Sequence, residues 1–158
     1  MITPRIFIVD TNVLVAGLIS SQVGSPTVKI VDAMLDGKLL FLLSPVLLQE
    51  YRTVLLRPKL LRLHGLDEKQ IDHFLTEITA NAIWHEVVSD STEPAPDPGD
   101  DHLWKLLATE PSASLVTGDH LLLENPPLQR SVLSPANCVQ LLFLPRIKSD
   151  RSKASLFG

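Results

Sequence analysis

The sequence predicts an α/β protein, a three-layer α/β/α sandwich around a mainly parallel central sheet. Three observations carry that expectation. Short apolar, often β-branched runs recur at residues 5–9, 39–43, 83–88, 114–117 and 131–133. They lack the alternation of a sheet with one wet face, and so suit strands buried on both faces. Segments with apolar residues at helical spacing separate them. Helix-start signals also recur, three of them as Ser-Pro at Ser25-Pro26, Ser44-Pro45 and Ser134-Pro135, where Ser caps and Pro fits the first helical position.

Taken in order, the first strand ends at the polar triplet Asp10-Thr11-Asn12. Residues 12–19 and 25–35 read as helices, the second closed by Gly37. After the strand at 39–43, Val46, Leu47, Tyr51, Val54 and Leu55 keep helical spacing as far as Pro58, and this helix carries Glu50. Asp67 with Gln70 fits a capping box for a helix reaching about residue 82, with Ile71, Phe74, Leu75 and Ile78 on its apolar face. A strand at 83–88 and a proline-rich loop at 89–99 follow. Residues 100–110 return to helix, 114–117 and 131–133 to strand, and 134–144 to helix. The domain is expected to span 1–145, with 146–158 a mobile tail.

Composition narrows the class. A chain of 158 residues, 45% hydrophobic and 20% charged, suits one globular domain. The single cysteine, Cys138, excludes an intrachain disulfide, and no Cys/His spacing resembles a zinc site, so a cytoplasmic location is expected. The most apolar stretch, 39–48, is too short for a membrane span. A net charge of −4 is unusual for a nucleic-acid binder, but bases gather at Arg52, Arg57, Lys59 and Arg62 while acids gather around 97–101.

The candidate chemistry is acidic. Asp10 follows the first strand, Asp119 follows the strand at 114–117, Glu50 lies within a helix, and Asp101 opens the helix before that strand. In a parallel sheet the carboxyl ends of strands open onto a crevice where strand order reverses. If the two strands are neighbours there, Asp10 and Asp119 meet. Each residue also has an ordinary explanation: Asp10 and Asp119 as caps or turns, Glu50 as a solvated helix residue, Asp97, Asp100 and Asp101 as turn and cap residues. Together they match the oxygen ligands that suit Mg²⁺ or Mn²⁺ in phosphodiester hydrolysis.

Asp10-Thr11-Asn12, Glu50 within Leu48-Gln49-Glu50-Tyr51, Asp97-Pro98-Gly99-Asp100-Asp101 and Leu115-Val116-Thr117-Gly118-Asp119 resemble the four ordered acidic motifs of the PIN-domain family. More narrowly they resemble its bacterial branch of VapC-type toxin components of toxin–antitoxin systems. The resemblance covers roughly residues 5–144. It implies a Mg²⁺- or Mn²⁺-dependent endoribonuclease, often a homodimer, with an RNA substrate and a cognate antitoxin protein as partners. It also implies Asp10, Glu50, Asp101 and Asp119 as catalytic and metal-binding acids, supported by Thr11, Asn12, Thr117, Asp97 and Asp100. The family often has a further acid where this chain has Leu122, a departure that bears on a second metal and keeps a catalytically degenerate binding module as the alternative. Arg52, Arg57, Lys59 and Arg62 are candidate RNA contacts, whereas His102, His120 and Cys138 are read as incidental or structural. Aspartate-nucleophile phosphatases also place an aspartate after the first strand, but the second acid they want two residues later is Asn12 here; a phosphoacceptor module would need an acidic pair before its acceptor strand and a lysine after a later one, and that pattern is incomplete.

Overall fold

The structure, a computed structural model, describes residues 4–87 and 93–143. Within them the strands are β1 (Ile6–Val9), β2 (Leu40–Leu43), β3 (Ile83–Trp84), β4 (Ala113–Val116) and β5 (Ser131–Leu133). They form one sheet in the order β3-β2-β1-β4-β5, and every pairing is parallel. The helices are α1 (Thr11–Ile19), α2 (Pro26–Leu35), α3 (Pro45–Leu55), α4 (Pro58–His64), α5 (Glu68–Ala80), α6 (Asp101–Thr109), α7 (His120–Glu124) and α8 (Pro135–Phe143).

The chain winds outward from β1 through β2 to β3, then returns to place β4 on the other side of β1. Right-handed crossovers put the helices of those two windings on opposite faces. Accordingly α1, α2, α3 and α5 pack among themselves with α8 against α2, while α6 lies against β1 and β4. Strand order therefore reverses between β1 and β4, and their carboxyl ends flank the crevice. Strand side chains fill the centre: Phe7, Ile8, Val9, Phe41, Leu42, Leu43, Leu115 and Val116 are buried, which explains why β1 and β2 are apolar at every position. Tyr51 is buried beneath β1 and donates its hydroxyl hydrogen to the Val9 carbonyl, tying α3 to the strand that ends at Asp10. At Gly17 a Cβ would come within 2.5 Å of the Thr27 carbonyl oxygen and of Val31, so glycine sets the close approach of α1 to α2.

Several boundaries differ from the expectation. Pro58 ends one helix and opens another: it occupies the first turn of α4, where its missing N–H costs nothing. The short helix α7 was not foreseen, because five residues are too few to show a period. The third strand is only Ile83–Trp84, paired with Leu42 and Leu43. Residues 88–92, which include the first part of the expected 89–99 loop, and the expected 146–158 tail lie outside the described residues. Trp104 is core, but Trp84, on edge strand β3, is 45% exposed.

Candidate active site

The site begins with a helix cap. Asp10 leaves β1 in extended conformation and caps α1, one carboxylate oxygen accepting from the Thr11 N–H at 2.8 Å. Its backbone N–H donates to Val116 at the end of β4, which fixes the two strand ends side by side. The other oxygen, Oδ2, accepts from the Thr117 hydroxyl at 2.8 Å and from Asn12 Nδ2 at 3.2 Å. Thr117 Oγ1 in turn accepts from Asn12 Nδ2 at 3.3 Å and from the Asp119 N–H at 3.0 Å. Asn12 completes the lock through Oδ1, which accepts from the Gly118 N–H at 2.9 Å. One hydroxyl thus uses its donor and both lone pairs, holding Asp10 and Asp119 in fixed relation. Only 5% of Asp10 is exposed. Burial pushes its carboxyl above the usual range, opposed by the hydrogen bonds from Thr117 and Thr11, while the Glu50 charge adds to the rise.

Asp10, Asp100 and Asp119 line one open crevice of about 410 Å³, together with Thr11, Asn12 and Arg57. Asp100 is pushed up to about 6, first by burial and then by Asp10, Asp97, Glu50 and Asp119. The charges that raise it are those of other carboxylates. Asp119 caps α7 through Oδ1, which accepts from the Leu121 N–H at 2.9 Å.

The third motif is arranged differently from the expectation. Asp101 does not line this crevice; its Oδ1 accepts from the Ala95 N–H at 2.8 Å and fastens the preceding loop to α6. Asp97 likewise caps the 3-10 turn Pro98–Asp100 by accepting from the Gly99 N–H at 2.9 Å. Asp100, at the end of that turn, is the member that faces Asp10 and Asp119. Neighbours at such a helix start point roughly 100° apart, so sequence spacing does not separate the two.

Glu50 stands half-buried beside the crevice. Its Oε2 accepts from the Thr11 hydroxyl and its Oε1 lies 3.5 Å from His102 Nε2. The His102 imidazole holds the Glu50 carboxyl below its usual range; burial opposes this and Thr11 assists. His102, read from sequence as incidental, is thus adjacent to the site. Its clue was its position next to Asp101, which the surrounding charges obscured.

The basic candidates separate. Arg57, at the start of α4, lines the crevice. Lys59 and Arg62 are exposed on α4. Arg52 turns the other way and grips Asp72 of α5 through Nε and Nη2 at 2.8 and 3.2 Å, with Glu68 at 3.4 Å. Leu122, where the resemblance expects an acid, is fully buried. Among the described residues no three Asp, Glu, His or Cys side chains stand close enough to hold a metal ion as they are placed. The donor chemistry nevertheless fits a hard divalent cation, since the crevice offers carboxylate oxygens and the motif residues Asn12 and Thr117 are engaged in orienting them.

An acid-lined crevice thus lies at the strand-order reversal of a five-stranded parallel sheet. The PIN domain family model matches residues 6–121, most of the chain and all four acidic motifs, and the chain belongs to that family. PIN domains are generally nucleases, and those nucleases generally use divalent metal ions. No curated protein sequence matches the chain. No helix among the described residues is long and apolar enough to cross a membrane.

Proposed function

We propose that this protein is a Mg²⁺- or Mn²⁺-dependent endoribonuclease acting in the cytoplasm as the toxin component of a toxin–antitoxin system. The observation that carries the nuclease reading is the meeting of Asp10, Asp100 and Asp119 in one crevice with Arg57 on its wall. Asp10, Asp100 and Asp119 would hold the ion, with Glu50 as the fourth acid and Asp101 anchoring the loop. Bound there, a divalent ion supplies an activated water and neutralises charge on the phosphate and leaving oxygen. Thr11, Asn12 and Thr117 keep the carboxylates oriented, and the Arg57 guanidinium offers a phosphate its forked donors. Lys59 and Arg62 extend that basic edge along α4, whereas Arg52 is engaged with Asp72 and Glu68 and is left out of the RNA path.

Purified protein incubated with single-stranded and structured RNA should cleave only with Mg²⁺ or Mn²⁺, and Asp10→Asn should abolish cleavage. Metal-independent cleavage, or an active Asp10→Asn protein, would sink the proposal. The toxin role is read separately, as growth arrest on induction of the wild type and its relief by a small protein encoded alongside. A catalytically degenerate PIN-like binding module is the second reading, favoured by Leu122, buried where the resemblance expects an acid. It predicts RNA retention without cleavage under every metal condition.

A further inference from the structure

The His102 side chain is 15% exposed, and both its ring nitrogens are shielded from solvent with no hydrogen-bond partner formed among the described residues. A shielded imidazole lacking partners is unfavourable compared with a leucine or phenylalanine of similar bulk. His102 therefore calls for a reason beyond packing. The carboxylate within its reach is Glu50, whose Oε1 lies 3.5 Å from Nε2, just outside a formed hydrogen bond. Glu50's other oxygen is already taken by the Thr11 hydroxyl, and Thr11 adjoins Asp10 and donates its backbone N–H to it. Thr11 alone leaves the Glu50 carboxylate free to pivot about that contact; a second donor on Oε1 removes the pivot.

Resting on the nuclease reading above, we propose that His102 is a positioning residue that donates Nε2–H to Glu50 Oε1, fixing the plane of this carboxylate relative to Asp10. α6 brings His102 into place, while Asp101 ties the helix start to the preceding loop through Ala95. The same helix start thus supplies Asp100 to the crevice and His102 to Glu50, so that the crevice acid and the Glu50 clamp move as one body. Groups that orient acidic site residues in this way typically contribute about 10- to 100-fold to activity or metal affinity.

The test compares wild type with His102→Phe, which keeps a ring and loses the donor, and His102→Gln, which keeps an N–H donor. With a fluorescent RNA oligonucleotide and Mn²⁺, His102→Phe should lose roughly 10- to 100-fold in kcat with little change in KM, and His102→Gln should recover most of it. In metal-free protein, long-range ¹H–¹⁵N spectra should show His102 protonated on Nε2, with a shift that changes in Glu50→Ala. Wild-type kcat in His102→Phe, equal losses in the Phe and Gln variants, or His102 resonances indifferent to Glu50→Ala would each overturn the proposal. The spectra need no cleavage, so a wild type that cleaves nothing would sink the nuclease reading while the Glu50 contact was still decided.

Discussion

Glu50 and Arg52 lie two residues apart on α3 and serve opposite neighbourhoods. Arg52 faces α5, where Asp72 and Glu68 meet its guanidinium on an exposed surface and the Asp72 carboxyl is held below its usual range by that partner. Glu50 faces the end of the sheet, where Asp10 and Asp100 are both pushed upward, each first by burial and then with neighbouring acids adding to the rise. One region gives its acids a cation. The other presses acids together and relies on Thr117, Asn12 and Thr11 to hold them. Exposed ion pairs contribute little to stability, so the α3–α5 surface is expendable; the crevice holds electrostatic repulsion that a bound cation relieves, as expected where function overrides stability.

The largest effect that would break this contrast is on activity. Asp10→Asn or Asp119→Asn should lower metal-dependent RNA cleavage by more than about 100-fold, beyond the usual effect of losing a merely orienting group, while Arg52→Ala leaves kcat within about twofold, the contribution of a paired surface charge being small. Comparable losses at both places, in single-turnover assays, would erase the distinction.

Next comes stability linked to metal. Mn²⁺ should raise the unfolding free energy of wild type by about 2.7 kcal/mol when free metal reaches about 100 times its dissociation constant. Thermal melts of an Asp10→Asn/Asp119→Asn double variant should show higher metal-free stability and no increment. A double variant that melts lower without metal would mark these acids as simple caps.

Within the third motif, Asp100→Asn should cost more cleavage than Asp101→Asn. The latter should instead cost up to about 1 kcal/mol of stability, because a neutral amide oxygen is a weaker acceptor for the Ala95 N–H than the carboxylate it replaces. The reverse ranking would return Asp101 to the crevice set.

The smallest effects sharpen the comparison through pH. Folding raises the Asp100 carboxyl from 3.8 to about 6, so the folded protein holds that proton more tightly. Its stabilising contribution is full below about 3.8 and is lost as pH rises through about 6. Asp72 is lowered, so its contribution is present above 3.8 and lost as pH falls through its folded value. Urea midpoints should thus show Asp100→Asn gaining on wild type as pH rises from 4 to 7, and Asp72→Asn losing ground as pH rises toward 3.8 and holding level with wild type's trend above it. Shifts of the same sign would refute the electrostatic contrast.

The order of strands and helices was legible because the central strands β1, β2 and β4 are buried on both faces, and because Ser-Pro and Asp-x-x-Gln mark helix starts by side-chain chemistry. Asp10 and Asp119 could be placed together for a related reason: Asp10 directly follows β1, and Asp119 comes after Thr117 and Gly118 beyond β4, strands that the fold class makes neighbours. Pro58 misled because proline both stops a helix and starts one. Asp100 and Asp101 could not be separated, since which of two adjacent acids faces inward depends on a 3-10 turn that leaves no periodic trace. The approach of His102 to Glu50 could not be read because it depends on a contact between α3 and α6, nor could the pairing of Arg52, whose partners lie on and around α5.

The lock between β1 and β4 also bears on the protein's own birth. Asp10 and the Thr117 hydroxyl that holds it are 107 residues apart. A ribosome adding 5–20 residues per second needs roughly 5–20 s between making the one and the other. Throughout that interval the emerging chain carries Asp10 without the hydroxyl that orients it and without Asp119 across the crevice. If the crevice cleaves RNA, its geometry keeps the nascent protein harmless to the message being read until nearly the whole domain has been made.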